Sequence, residues 1–138
     1  MIVADTSGLL ALYNATEPSH RAVAAIIENE GEHLVVSPFV IAELEYLVAT
    51  RVGQAAAVAV ARELGGGAYA LPGFDGDDLL LAADVMERYR DHAVGMADAS
   101  LVVLADRFAT RRMLTLDRRR FTIMRTLGDE PFELLPAF

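Results

Sequence analysis

The chain opens Met1-Ile2-Val3-Ala4-Asp5-Thr6-Ser7-Gly8, and this stretch constrains the fold more than any other. A short apolar run without alternation is the pattern of a strand buried on both faces, as in the middle of a parallel sheet. The Asp, Thr and Ser that follow are strong helix N-caps, because their side-chain oxygens accept from the free amides of a first helical turn. Leu9, Leu10, Leu12 and Tyr13 continue as an amphipathic run. The stretch predicts a central strand, Asp5 at its C-terminal end, and a helix leading away. Open α/β sheets bind ligands in the crevice beyond the C-terminal ends of their strands, so Asp5 lies where chemistry is expected. A purely structural reading competes, in which Asp5, Thr6 and Ser7 only cap the helix. Taken alone, the motif favours that reading, and it needs partners.

The strand–helix alternation continues along the chain. A helix from about His20 to Asn29 carries Val23, Ile26 and Ile27 at helical spacing and ends at Gly31. Leu34-Val35-Val36 is a second buried strand, and Ser37-Pro38 places a cap and then a proline at the start of a helix from Phe39 to about Val52. An alanine-rich helix over Gln54 to Leu64 closes at Gly65-Gly66-Gly67, and Ala68 to Leu71 reads as a third strand. Asp75, Asp77 and Asp78 favour the positive end of a helix running to about Tyr89. A helix from Met96 to Ala109, a strand Met113–Leu116 ending at Asp117, and a last strand Phe132–Leu135 complete the chain. This order predicts one domain over residues 1–138, a three-layer α/β/α fold with a mostly parallel sheet of four to five strands.

The 54% of hydrophobic residues suits a sheet covered on both faces. Neither a run of about 18 apolar residues nor a cationic leader occurs, which predicts a cytoplasmic protein with no membrane span. With no cysteine, disulfides, thiolate metal sites and cysteine nucleophiles are excluded. The net charge of −8 opposes a nucleic-acid partner if the chain is taken whole. Its distribution is uneven. Residues 1–106 carry 5 Arg against 16 acids, net −11, whereas residues 107–138 carry 7 Arg against 4 acids, net +3.

Three further acids stand out. On a wheel of 100° per residue, Glu43 falls in the apolar stripe of its helix with Phe39, Val40, Tyr46 and Leu47, and Glu45 points away; a place at the rim of the core, or a buried arginine partner, is the plainer account of it. Asp98 shares a face with Leu101, Val102 and Ala105, although a first-turn aspartate also favours the helix N-terminus. Asp117 ends its strand as Asp5 ends the first, with Thr115 two residues before it, and a helix cap for Arg118–Phe121 is its structural alternative. An acid facing a core is costly unless it is paired, protonated or bound to a metal. Clustered carboxylates repel unless a divalent cation neutralises them, and all-oxygen ligands suit Mg²⁺ or Mn²⁺. Such a cluster is suited to phosphodiester hydrolysis.

These motifs, in this order and spacing, resemble the PIN-domain ribonucleases, and among them the VapC toxins of bacterial toxin–antitoxin pairs. The residues carrying the resemblance are Asp5-Thr6-Ser7, Glu43 in Ala42-Glu43-Leu44-Glu45-Tyr46-Leu47, Asp98-Ala99, and Thr115-Leu116-Asp117 leading to Phe121. The resemblance implies that Asp5, Glu43, Asp98 and Asp117 are catalytic, metal-binding acids, with Thr6, Ser7 and Thr115 as supporting hydroxyls. It implies Mg²⁺- or Mn²⁺-dependent cleavage of structured RNA (tRNA or rRNA) that blocks translation, inhibition by a VapB antitoxin, and a homodimer. Some members carry another acid one turn after the third, where this chain has Val102, which leaves one or two metals open.

Arg112, Arg118, Arg119 and Arg120 flank Asp117 and are candidates for holding RNA phosphates; a solvated face explains them equally well. His20, His33 and His92 lack ligand spacing and read as solvated surface residues. The alanine-rich helix leans slightly towards a dimer interface. A catalytically silent α/β interaction module is the alternative. Receiver domains and Asp-x-Asp phosphatases fall behind, because no lysine is present and Ser7 stands at the second motif position.

Overall fold

Four parallel strands form the centre of the computed structural model, which describes residues 1–30 and 33–137. In chain order the elements are β1 (Ile2–Ala4), α1 (Thr6–Tyr13), α2 (His20–Glu30), β2 (Leu34–Val35), α3 (Pro38–Arg51), α4 (Gln54–Leu64), α5 (Gly76–Arg88), a 3₁₀ turn (Arg90–His92), α6 (Met96–Arg107), β3 (Arg112–Leu114), α7 (Arg118–Ile123) and β4 (Glu133–Leu135). The strands lie in the order β2-β1-β3-β4, with Ile2 opposite Leu34, Val3 opposite Met113 and Met113 opposite Leu134. Parallel neighbours need crossovers, which the helices supply. Successive strand residues face opposite sides, and Ile2, Val3 and Ala4 are at most 1% exposed. Both faces of β1 are therefore covered, as an α/β/α arrangement requires.

The sheet departs from the sequence expectation at two strands. Ala68–Leu71 is not a strand; Ala70 alone bridges to Val35, exchanging backbone hydrogen bonds of 2.9 Å with Leu34 and Val36. The glycines before it and Pro72-Gly73 after it leave one residue in register. β3 stops at Leu114 rather than Leu116. The Thr115 amide still reaches the Leu135 carbonyl at 2.9 Å, but the Leu116 amide turns to the Ser7 hydroxyl, also at 2.9 Å. The predicted stop at Gly31 lies outside the described residues.

Two helices position the site, and they differ. On α3 the buried line is Val40, Leu44 and Val48, while Glu43 is exposed and Tyr46 is 64% exposed. The apolar stripe assigned around Glu43 is thus corrected: the inward direction centres on Leu44, about 100° from Glu43, which stands on a rim. On α6, by contrast, every residue from Asp98 to Ala105 is buried. A helix buried all round has no polar face, so Asp98 is the anomaly its sequence suggested. Inside, Ser100 Oγ lies 2.7 Å from Ser37 Oγ and donates to the Ala97 carbonyl at 2.6 Å, tying α6 to the capped start of α3. Each fully buried Leu in these helices contributes roughly 1.5–3 kcal/mol. Gly8 lets α1 lie against β3, since a Cβ there would stand 2.7 Å from Leu114 Cγ and 2.8 Å from its carbonyl oxygen.

Candidate active site

β1 and β3 are parallel neighbours, so they release their chains at the same edge of the sheet, and Asp5 and Asp117 follow. Asp5 sits at the N-cap of α1, yet its side chain makes no capping hydrogen bond. Its Oδ2 instead accepts from Ser7 Oγ at 2.6 Å and from Thr115 Oγ1 at 2.9 Å. Each hydroxyl has one proton, and both are given to Asp5. The two oxygens in turn accept backbone amides, Leu116 on Ser7 and Asp117 on Thr115, each at 2.9 Å. Asp5 is thereby locked to the turn that carries Asp117.

Asp5, Thr6, Ser7, Glu43, Asp98 and Asp117 line one cleft of about 440 Å³, with Leu10 and Leu47 as an apolar wall. Asp5 and Asp98 are 8% and 7% exposed. Burial pushes the Asp5 carboxyl above its usual range, outweighing the hydroxyls and, more weakly, the first amides of α1. Burial also raises Asp98, Arg120 opposes this, and the charges of Asp5 and Glu43 raise it further. Three carboxylates thus share one electrostatic environment, though Glu43 reaches it from the rim. Asp117 keeps the structural role open to it, since its Oδ1 accepts the Arg120 amide at 3.1 Å and caps α7.

Arg120 is the cation among these acids. Its Nη1 donates to Asp98 Oδ2 at 2.5 Å, and its Nε lies 3.6 Å from Asp117 Oδ2. Asp98 above all raises the pKa of this guanidinium, and Asp117 and Asp5 add to the effect. Among the described residues, no three acids or histidines converge tightly enough to hold a metal ion as they stand. Their chemistry nevertheless fits a hard divalent cation: the donors are all oxygens, and mutual repulsion raises Asp98. Thr6 also lines this cleft, and its buried Oγ1 has no hydrogen-bond partner among the described residues.

The remaining arginines diverge. Arg112 pairs with Glu133, Arg118 Nη1 donates to the Pro136 carbonyl at 3.0 Å, and Arg119 is exposed. His20 is not a solvated surface residue, because its Nδ1 meets the Ala11 carbonyl at 2.8 Å in a half-buried position. Sequence reasoning missed the Ser37–Ser100 pair, whose signal was a serine two residues past Asp98 on an otherwise apolar helix. It also missed the seating of Arg120 on Asp98.

A parallel sheet between helical layers, with buried carboxylates in the crevice beyond its strand ends, places the chain in the α/β/α class whose sites lie at that edge. The PIN-domain model matches residues 2–125. The chain is 50% identical to Ribonuclease VapC26 of Mycobacterium tuberculosis over 135 residues, which is 98% of this chain and 100% of that protein. It belongs to the PIN-domain family, with the VapC ribonucleases. The crystal structure of M. tuberculosis VapC20, a sarcin–ricin loop cleaving toxin, shares the fold with a TM-score of 0.78 at 22% identity, over 86% of this chain and 91% of that one. VapBC2 from Rickettsia felis, crystallised with a DNA fragment from its promoter, matches with a TM-score of 0.63 at 16% identity, over 97% and 98%.

Proposed function

We propose that residues 1–138 form a single Mg²⁺- or Mn²⁺-dependent endoribonuclease domain, the toxin of a toxin–antitoxin pair. Asp5, Asp98 and Asp117 would hold the metal, with Glu43 from the rim. The observation that carries this reading is Asp5: a buried carboxylate at an N-cap that declines to cap and is aimed by two hydroxyls into a cleft shared with Asp98. The substrate is structured RNA, tRNA or rRNA, in the cytoplasm, and the sarcin–ricin loop that VapC20 cleaves is one RNA to try beside tRNA. A VapB-type antitoxin would neutralise the chain, as the VapBC2 pairing suggests, and a homodimer is the expected assembly. No helix of the described residues is long and apolar enough to cross a membrane.

A divalent ion held by Asp5, Asp98 and Asp117 would supply a water of lowered pKa and positive charge beside the phosphate. The protein's own part is positional. Ser7 and Thr115 fix the Asp5 carboxylate and favour its charged form. Thr6 Oγ1 offers an unused buried polar atom, and Leu10 and Leu47 keep one wall dry. Arg120, already among the acids, presents a guanidinium fork to a phosphate entering an otherwise repulsive cleft.

The alternative, a silent interaction module, draws on Arg120, which could serve as the permanent counterion of the acids. Thermal unfolding with and without Mn²⁺ separates the two. A ligand specific to the folded state stabilises it, by roughly 2.7 kcal/mol at a hundredfold excess over Kd. The nuclease reading expects a Mn²⁺-dependent rise in Tm that weakens in Asp98→Asn. No shift in either protein at millimolar Mn²⁺ would hand the site to the silent module.

A further inference from the structure

Beside the acidic cleft lies a second one of about 340 Å³, and the two share Asp117 and Arg120. Its floor is apolar: Val94 and Met124 are 6% and 1% exposed, and Ile123, at 38%, presents an open surface. His92, at the end of the 3₁₀ turn, and Arg119 stand along it. Of the seven arginines between 107 and 125, six are engaged, by Asp78, Glu130, Glu133, the Pro136 carbonyl, Asp98 and Asp129. Arg119 is the exception among the described residues, with neither ion pair nor hydrogen bond.

We propose that this second cleft is a nucleotide subsite for the RNA substrate. Arg119 meets a backbone phosphate, and the attached base, splayed out of the strand, lies on the exposed Ile123, above the buried Val94 and Met124 and beside the His92 ring. The assignment rests on the ribonuclease reading and adds the place where a nucleotide adjoining the scissile bond is gripped.

Three observations converge on it. Charge comes first. The body of the chain is net −11 and the acidic cleft repels a polyanion, but here the one acid, Asp117, already faces Arg120. An unpartnered guanidinium is the group a phosphate needs, since no existing ion pair has to be broken. Surface chemistry is the second. Unpaired nucleotides are recognised where cations run beside a surface that accepts the flat face of a base, and this cleft places apolar side chains and an imidazole next to Arg119. The third is continuity. Because Asp117 and Arg120 belong to both clefts, a strand whose scissile phosphate reaches the acids either passes the second cleft or turns away from Arg119, the cation that among the described residues stands unengaged there. The volume falls within the range of small-ligand pockets.

The test uses the full-length chain, labelled at Ile δ1 and Met ε methyls, titrated with AMP, with inorganic phosphate and with hexaglutamate. AMP should shift the Ile123 and Met124 methyls, phosphate should leave Met124 in place, and Arg119→Gln should weaken AMP binding about tenfold. AMP leaving both methyls unmoved overturns the subsite. So does a response to hexaglutamate without one to AMP, which would mark a surface for an acidic peptide. Cleavage of total RNA with Mn²⁺ is run in parallel. Cleavage by a wild type whose methyls ignore AMP sinks the subsite and spares the ribonuclease reading. A wild type that cleaves no RNA sinks that reading, and the substrate subsite with it. In kinetics, Arg119→Gln and Ile123→Ser, each of unchanged Tm, should raise KM about tenfold and keep kcat; a fall in kcat at constant KM would contradict a binding role.

Discussion

Asp5 and Asp117 stand in the same local grammar: a short strand, an aspartate, a helix. They have opposite fates. Asp117 does what a helix N-cap does, accepting the Arg120 amide at 3.1 Å with its side chain 43% exposed. Asp5 occupies the same position on α1, buried, and leaves the cap unmade. The difference comes from the sheet. Both strands are interior, β1 between β2 and β3 and β3 between β1 and β4, but Asp5 follows β1 directly and is met by the buried Thr115 hydroxyl, whereas Asp117 stands three residues past β3 with its side chain half out of the protein. A carboxylate at an N-cap that is held chiefly by two hydroxyls in a buried seat, and only weakly by its own helix, is held for another purpose.

That contrast can be broken by mutation, and the largest expected effect is on chemistry. Asp5→Asn should lower RNA cleavage by about 10³-fold or more, the loss of several kcal/mol of charge stabilisation, in a Mn²⁺-dependent assay with a folded variant. Retained cleavage would make Asp5 structural after all. Thr115→Val, which removes one of the two hydroxyls, should cost about 10–100-fold, as supporting partners of a metal ligand do. Next comes stability. Gly8→Ala should cost about 1–3 kcal/mol in denaturant unfolding, since a Cβ 2.8 Å from the Leu114 carbonyl oxygen cannot be absorbed without moving α1 off β3. Asp117→Ala should lose about 1 kcal/mol of cap stabilisation, and Asp117→Asn should restore most of it because asparagine also caps. Equal losses in the two variants would mean that charge, not capping, stabilises α7.

The smallest effect is a pH signature. Burial raises the folded-state pKa of Asp5 above its usual 3.8, so the folded protein holds that proton more tightly than the unfolded chain. Its contribution favours the folded state at low pH and is lost as pH rises through the raised value. Asp5→Asn should therefore melt higher than wild type at neutral pH, with the gap closing as pH falls towards 3.8. A gap that widens on acidification would show that the hydroxyls outweigh burial.

The pair α3 and α6 explains why the site was only partly legible. Asp98 was recognisable as an anomaly because it shares its face with Leu101, Val102 and Ala105 while Arg107 lies opposite, and packing buries that face as the pattern predicts. Glu43 sits on a helix with one buried line, and a wheel places its apolar residues without saying which of them face the core. Phe39, Tyr46 and Leu47 pulled the inferred centre towards Glu43, whereas packing chose Val40, Leu44 and Val48. Glu43 still reaches the cleft, from the rim instead of from the core. The C-terminal arginines were legible as a cluster, but most of their partners lie far along the chain, 18 residues away for Arg118 on the Pro136 carbonyl and 34 for Arg107 on the Gly73 carbonyl, and no local pattern reports them.

By itself the sequence determined the elements and the acids. Apolar runs without alternation made buried parallel strands, proline and glycine placed the breaks, and aspartates at strand ends marked the crevice, because these depend on neighbours a few residues apart. Tertiary structure alone decided how the acids divide their labour. Asp5 is uncapped and aimed by Thr115, 110 residues away; Arg120 is seated on Asp98, 22 residues away; and Ser37 is joined to Ser100, 63 residues away. Burial and charge at those points are set by which strands and helices become neighbours, and that choice is made by the packing of the whole core.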